Sequence, residues 1–235
     1  MFDYFLKPEI LANPRGKVLD ADIICPQAFG RNTWADEEVA EQLSLLFGGR
    51  EGSDLTDLER FYRLENAGFR PGSVNEHLAR QCHKFAALRN KLDRPFFIIG
   101  QWEVLYALFK AEPKWYETHQ GSVIAIWPPE DGSYLATRGM LQEAKKVASD
   151  FVGPEPKILI VSQAMHLARC ARLAEKIFGK RNVIVPCPGA DLYDPESVQP
   201  WTRDRRGFLG WEIKARIFEE LPGWARAIVR KLIQK

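Results

Sequence analysis

Five short apolar runs constrain this 235-residue chain more than any other feature. They are VLDADIIC (18–25), PFFIIG (95–100), SVIAIW (122–127), KILIVS (157–162) and NVIVP (182–186). Each is rich in Val, Ile or Phe and stops at a Pro, a Gly, a Ser or another polar residue. A strand with one wet face alternates apolar and polar residues; a run that stays apolar reads as a strand buried on both faces. Helix-like stretches lie between the runs. WADEEVAEQLSLLF (34–47) places Val39, Leu43, Leu46 and Phe47 at helical spacing. In 73–92, Ser73 is the expected N-cap and Glu76 completes a capping box. The same signal recurs over 137–151 and 165–179, the latter ending on Gly179, a residue suited to a helix C-terminus. Alternating strands and helices predict a single α/β domain over 1–235, an open, doubly wound parallel sheet of about five strands with helices on both faces. The stretch 48–94 is longer than a simple crossover needs. Its turn-rich pieces GGREGSD and GFRPGS predict a helical insertion between the first two strands, placed to cover a site. C-terminal helices are expected over 208–235, as FLGWEIKARIFEEL (208–221) and PGWARAIVRKLIQK (222–235).

Composition narrows the class. The chain is 46% hydrophobic and 27% charged, with mean hydropathy −0.29, and is long enough to bury a sizeable core. A net charge of +2, with no stripe of interleaved aromatic and basic residues, argues against nucleic acid as a partner. The four cysteines form no CxxC pair, so no metal site is expected from their spacing. They suggest no disulfide framework either, which favours a reducing compartment. Asp3, Lys7 and Glu9 interrupt the first residues, so these do not read as a signal peptide. No run approaches the ~18 apolar residues of a transmembrane segment. A cytoplasmic protein is the expectation.

In such sheets ligands bind beyond the carboxyl ends of the strands, where the strand order reverses. After the first run come Gln27, Gly30, Arg31 and Asn32; after the second, Gly100, Gln101 and Glu103. The third is followed by Glu130, Ser133, Thr137 and Arg138, the fourth by Ser162, Gln163, His166 and Arg169, the fifth by Asp191 and Tyr193. His166 and Arg169 are three apart at the start of a helix, so both can project from one face. The first turn of a helix offers free N–H groups and partial positive charge. Together these predict a site for a small anionic molecule, a phosphate or carboxylate, with Arg31 completing it if strands one and four are neighbours, as in the order 3-2-1-4-5. Glu130 or Glu103 is the candidate general base, and His166 the candidate general acid. Ligand contacts are expected from Gln27, Gly30, Asn32, Gly100, Gln101, Ser133, Thr137, Ser162 and Gln163. Each residue also has a plainer reading. His166 fits a histidine bonded to backbone at a helix start, Arg169 a surface ion pair, Glu103 and Glu130 first-turn acids. Ser133 and Thr137 fit turn and cap residues, and Gly30 and Gly100 turn glycines. No GxGxxG or GxxxxGK[ST] occurs, which argues against an ordinary dinucleotide site or P-loop, and the pattern names no cofactor. Glu130, Asp131 and Asp191 offer oxygens to a magnesium ion, but no spacing demands one. Ser162 has no base partner identifiable in sequence, and no other nucleophile is evident.

IVSQAMHLARCARL resembles the Val-Thr-Ser-Ala-x-His-x-x-Arg motif of the SanA/YdcF-like family, a family of domains of unknown function. His166 and Arg169 fall on its His and Arg, and Ser162 and Ala164 lie near its small residues. PEDGSYLATRGMLQEA resembles the family's Glu-x-x-Ser-x-Asn-Thr motif. Glu130 and Ser133 keep the spacing; Thr137 is one residue late, and the Asn is missing beside Ala136. GQWEV lacks the family's double glycine, and PQAFGRN stands in place of its Gly-rich first loop. The resemblance covers about 18–218. It implies a Rossmann-like fold, and two settings. Some members are membrane-anchored and linked to bacterial envelope or peptidoglycan precursor metabolism; others are soluble and associated with nucleotide-like or S-adenosylmethionine-like ligands.

Two functions follow as expectations. One is an enzyme or ligand-binding protein that takes a phosphorylated or nucleotide-like small molecule at the carboxyl ends of the strands. The other is a non-catalytic or envelope-associated interaction module using the basic C-terminal helix. There Trp224, Ile228, Val229, Leu232 and Ile233 line one side, and Arg226, Arg230, Lys231 and Lys235 are spread over the other. Residues 201–235 hold nine Lys/Arg against four Asp/Glu. Such a helix fits an anionic surface, packing on its own domain, or a homodimer.

Overall fold

The computed structural model describes residues 12–30, 55–128 and 136–222, with Ala225. The helix expected at 34–47 and nearly all of the one expected at 222–235 lie outside these residues. All five apolar runs form strands: β1 (Ile23–Pro26), β2 (Phe97–Gln101), β3 (Val123–Ile126), β4 (Ile158–Val161) and β5 (Val183–Ile184). Every pairing is parallel, and the order is β3-β2-β1-β4-β5. The strand order therefore reverses between β1 and β4, as the sequence reading required. The first run is shorter as a strand than expected, because Val18–Asp20 winds into a 3₁₀ turn before β1 begins.

Both faces of the sheet are covered, and the residues alternate between two apolar clusters. Ile24, Ile98 and Leu159 join one cluster with helices α1 (Asp57–Asn66), α2 (Ser73–Asn90) and α3 (Trp102–Ala111). Ile23, Cys25, Ile99, Ile158 and Ile160 join the other with α5 (Thr137–Phe151) and α6 (Ala164–Phe178). Helices α4 (Pro113–His119) and α7 (Arg205–Glu220) complete the described set. Cys25, Cys82 and Cys170 are buried and Cys187 is exposed. Among the described residues, no helix is long and apolar enough to cross a membrane.

The stretch expected as an insertion supplies the crossover itself. α2 packs on β1 and β4 in the position of a βαβ helix. Its N-cap is Gly72, at φ 90°, rather than Ser73, which is the first helical residue and donates its backbone N–H to Asp194 Oδ2 at 2.9 Å. A capping box does occur, one helix earlier: Thr56 Oγ1 accepts from Glu59 N, and Glu59 Oε2 accepts from Thr56 N. α1 then serves the edge of the sheet. Asp57 accepts the backbone N–H of Ala125 at 2.8 Å and the Trp127 indole N–H at 2.6 Å. At the opposite edge, Arg15 and Val185 exchange two backbone bonds as an antiparallel bridge.

Gly100 is a strand residue and not a turn glycine. A Cβ there would lie 2.4 Å from Pro26 Cγ and 2.7 Å from the Pro26 carbonyl oxygen. The missing side chain lets β2 close against the proline that ends β1. Gly100→Ala should therefore destabilise the fold by roughly 1–3 kcal/mol through overpacking. Urea unfolding would show a lower midpoint at unchanged slope; an unshifted midpoint would mean that Pro26 moves aside freely.

Candidate functional site

The carboxyl ends of β1, β2 and β4 gather most of the polar residues singled out in the sequence, and nearly all of them are buried. The loop after β1 is held by side chains from neighbouring elements. The Gln27 N–H extends the ladder to Val161 O at 2.8 Å. Gln101 Oε1 accepts the Ala28 N–H at 2.8 Å, and Asn75 Oδ1 accepts that of Phe29 at 2.9 Å. The Asn75 amide nitrogen donates to Gly30 O and Pro71 O, both at 2.7 Å. Gly30 has φ +73°, and a Cβ there would lie 2.7 Å from Thr202 Oγ1 and 3.0 Å from Ser197 Oγ. It is a turn glycine that lets the 197–202 segment close on the loop. Gln101 and Gly30 thus act on the chain itself.

Gln27 differs from these. It is fully buried, its Nε2 lies 3.3 Å from Cys25 Sγ and 3.9 Å from Met140 Sδ, and its Oε1 has no hydrogen-bond partner among the described residues. Met140 belongs to the first turn of α5, where Ala136 has no side chain with which to cap the helix and Thr137 is buried. Glu103 is buried in the first turn of α3. Arg31, Asn32, Glu130, Asp131 and Ser133 lie outside the described residues.

After β4 the chain passes through Ser162 and Gln163 into α6. Ser162 Oγ lies 3.6 Å from Cys170 Sγ, a partner too weak as an acceptor to serve as a base. Gln163 closes the helix start. Its Oε1 accepts the His166 N–H at 3.0 Å, and its Nε2 donates to Asp191 Oδ1 at 2.6 Å and Leu192 O at 3.2 Å. The free N–H groups expected to attract an anion here are thus answered in part by the chain's own amide.

Two functional candidates were missed in the sequence: Glu212 and Arg216 on α7. Arg169 Nε donates to Glu212 Oε2 at 2.9 Å, and Arg216 Nε donates to Glu212 Oε1 at 2.8 Å. All three side chains are buried, Glu212 completely. The Arg169 guanidinium stands 4.8 Å over the Trp211 ring, which stacks on Trp201. His166 sits between Phe29 and Phe208, and its Nδ1 is 3.2 Å from Arg169 Nη2 and 3.8 Å from Glu212 Oε2. A guanidinium only donates, so Nδ1 accepts and the proton is assigned to Nε2. A sequence signal for α7 existed. Phe208, Glu212 and Arg216 recur every fourth residue, the spacing of one helix face, and two of the three carry charge.

Electrostatics revise the expected roles. Burial first, and then the Arg169 charge, push the His166 imidazole down to about 4, against the pull of Glu212. It is neutral at pH 7, so it offers a hydrogen-bond donor and not the cation or general acid read from sequence. Burial raises the Glu212 carboxyl, but the Arg169 and Arg216 guanidiniums that donate to it help hold it at about 2. Arg169 pairs with a buried carboxylate rather than a surface one. Both shifts make stability fall as the pH falls. From about pH 6.5 toward 4, the unfolded chain protonates His166 while the folded chain does not. Below about 4.5, Glu212 is protonated in the unfolded chain and stays ionised in the folded chain down to about 2, which extends the fall. His166→Gln should flatten the upper limb of the stability-against-pH curve and leave the lower limb intact. An unchanged upper limb in that variant would show that His166 is not held neutral.

No family model, curated protein or solved structure matches the chain.

Proposed function

We propose that the chain binds a small anionic molecule, phosphorylated or nucleotide-like (S-adenosylmethionine-like molecules included), across the β1–β4 switch point, as a distant relative of the SanA/YdcF-like family. The observation that carries this reading is the buried Gln27 Oε1 left without a partner at that point. Buried acceptors are rarely left unpaired, because desolvation then goes unanswered. An acceptor at the carboxyl edge of a parallel sheet is where a ligand's hydroxyl or amine would supply the missing donor. A nucleotide-like molecule brings both that donor and a negative charge. The first turn of α5, beside Gln27, offers partial positive charge to the latter. The assignment of the reaction, if there is one, follows from the ligand. The interaction-module reading rests on the helix at 222–235, outside the described residues.

A thermal-shift series on the wild type and Gln27→Leu tests the proposal, with nucleotides, S-adenosylmethionine and sugar phosphates as ligands. A true ligand at about 100 times its Kd stabilises the wild type by roughly 2.7 kcal/mol. Gln27→Leu should be at least as stable as the wild type when unliganded, since it removes an unmet acceptor costing about 1–3 kcal/mol, and should lose the ligand response. A variant that is less stable yet responds to ligand like the wild type would make Gln27 a structural residue and sink the proposal.

A further inference from the structure

We propose that Gln27 and Ser162 together hold one neutral hydroxyl of the ligand, a ribose hydroxyl, and so select ribonucleotide-like molecules over their deoxy forms. This deepens the reading above and rests on it. The geometry begins with the strand register. β1 and β4 pair Pro26 with Val161, and the Gln27 N–H continues the ladder to Val161 O at 2.8 Å. Gln27 and Ser162 therefore leave the two strands side by side. Their side chains share a face of the sheet: the Gln27 amide nitrogen lies 3.9 Å from Met140 Sδ of α5, and Ser162 Oγ lies 3.6 Å from Cys170 Sγ of α6. Gln27 is fully buried and Ser162 is 6% exposed.

The partners of these two side chains decide which ligand group fits. A thioether only accepts, so Met140 fixes the amide nitrogen on its own side and leaves Gln27 Oε1 facing elsewhere, as an acceptor in need of a donor. A phosphate ionised at pH 7 has no proton to offer it and would meet it lone pair to lone pair. The Ser162 hydroxyl has a thiol as its partner, a weak one that an oxygen acceptor would outcompete. Around the pair lie the sulfurs of Cys25, Met140 and Cys170, and burial pushes the Cys25 thiol far above its ordinary range, so it stays neutral. Neither Gln27 nor Ser162 touches a carboxylate among the described residues, so an ammonium group would be desolvated there without compensation. A hydroxyl answers both residues at once: it donates to Gln27 Oε1 and accepts from Ser162 Oγ. Ribose hydroxyls are the neutral groups of this kind that nucleotides and S-adenosylmethionine share. Met140 is the neighbour able to make room, because an unbranched thioether adapts its rotamer at little cost.

The test uses the full chain and calorimetric titration. The probes are the common ribonucleoside 5′-monophosphates and S-adenosylmethionine, then the 2′-deoxy and 3′-deoxy forms of whichever binds. In the wild type one deoxy form should bind about tenfold or more weakly, because its absence of a hydroxyl leaves two buried groups unanswered. Ser162→Ala should lose most of that preference, binding the ribose form more weakly and the deoxy form as the wild type does. A merely structural serine would weaken both forms alike, and that result overturns the proposal. Should Ser162→Ala fail to fold, Ser162→Cys, close in shape and a weak donor, is read in the same way. The two readings fail separately. Equal wild-type affinity for the ribose form and both deoxy forms, or binding of sugar phosphates that contain no ribose in place of all these probes, ends this inference; if that binding depends on Gln27, the function stands. No binding of nucleotides, S-adenosylmethionine or sugar phosphates ends both.

Discussion

A parallel sheet has no face to spare for water, and that constraint arranges the rest of this molecule. Each of the five strands must be apolar above and below, so Ile23, Cys25 and Ile99 serve one side while Ile24 and Ile98 serve the other. Polar side chains are excluded from the middle and collect where the strands end. The approach of β1 to β2 shows how tight the fit is: Pro26 fills the space that a side chain on Gly100 would need. The loop after β1 inherits that rigidity, tied by Gln101 from β2 and Asn75 from α2.

Charge behaves differently at that edge than it would on the surface. Burial strengthens the attraction between opposite charges but raises the cost of keeping any ion at all. His166 resolves the conflict by staying neutral, while Glu212 stays ionised because two guanidiniums share it. Arg169 is thereby held in a buried network of charges. Its neighbours Trp211 and Trp201 shield it with aromatic faces, which favours a guanidinium over an ammonium at this position.

Much of the fold was legible in the sequence, for a physical reason. Strands buried on both faces leave contiguous apolar runs, and helices with one wet side leave a period, so β1 to β5, α5 and α6 could be placed within a residue or a few. α3 was not recognised because it is apolar nearly all round: Trp102 to Phe109 are all buried, and a helix without a polar face shows no period. The Ser73 cap was misread because Gly72, with its positive φ, takes the half-in position that the Ser-x-x-Glu pattern promised to Ser73. At the site, His166 and Arg169 were found through local spacing. Their partner Glu212 was not, since nothing local in α7 says which distant group a buried carboxylate will meet. The neutral state of His166 was equally hidden, because it depends on burial that only the packed chain creates.

The two edges of the sheet carry a further consequence. Asp57 occupies an outward N–H of β3, and the Arg15 bridge occupies the backbone just beyond β5. A strand from another molecule would have to evict a half-buried carboxylate at one edge, or unzip the chain's own Arg15 bridge at the other, before a ladder could continue. Growth by adding strands, the geometry of fibrils, is therefore obstructed at both ends in the folded chain. A substitution at Asp57 would therefore expose the N–H groups of that edge and be felt first as a loss of solubility.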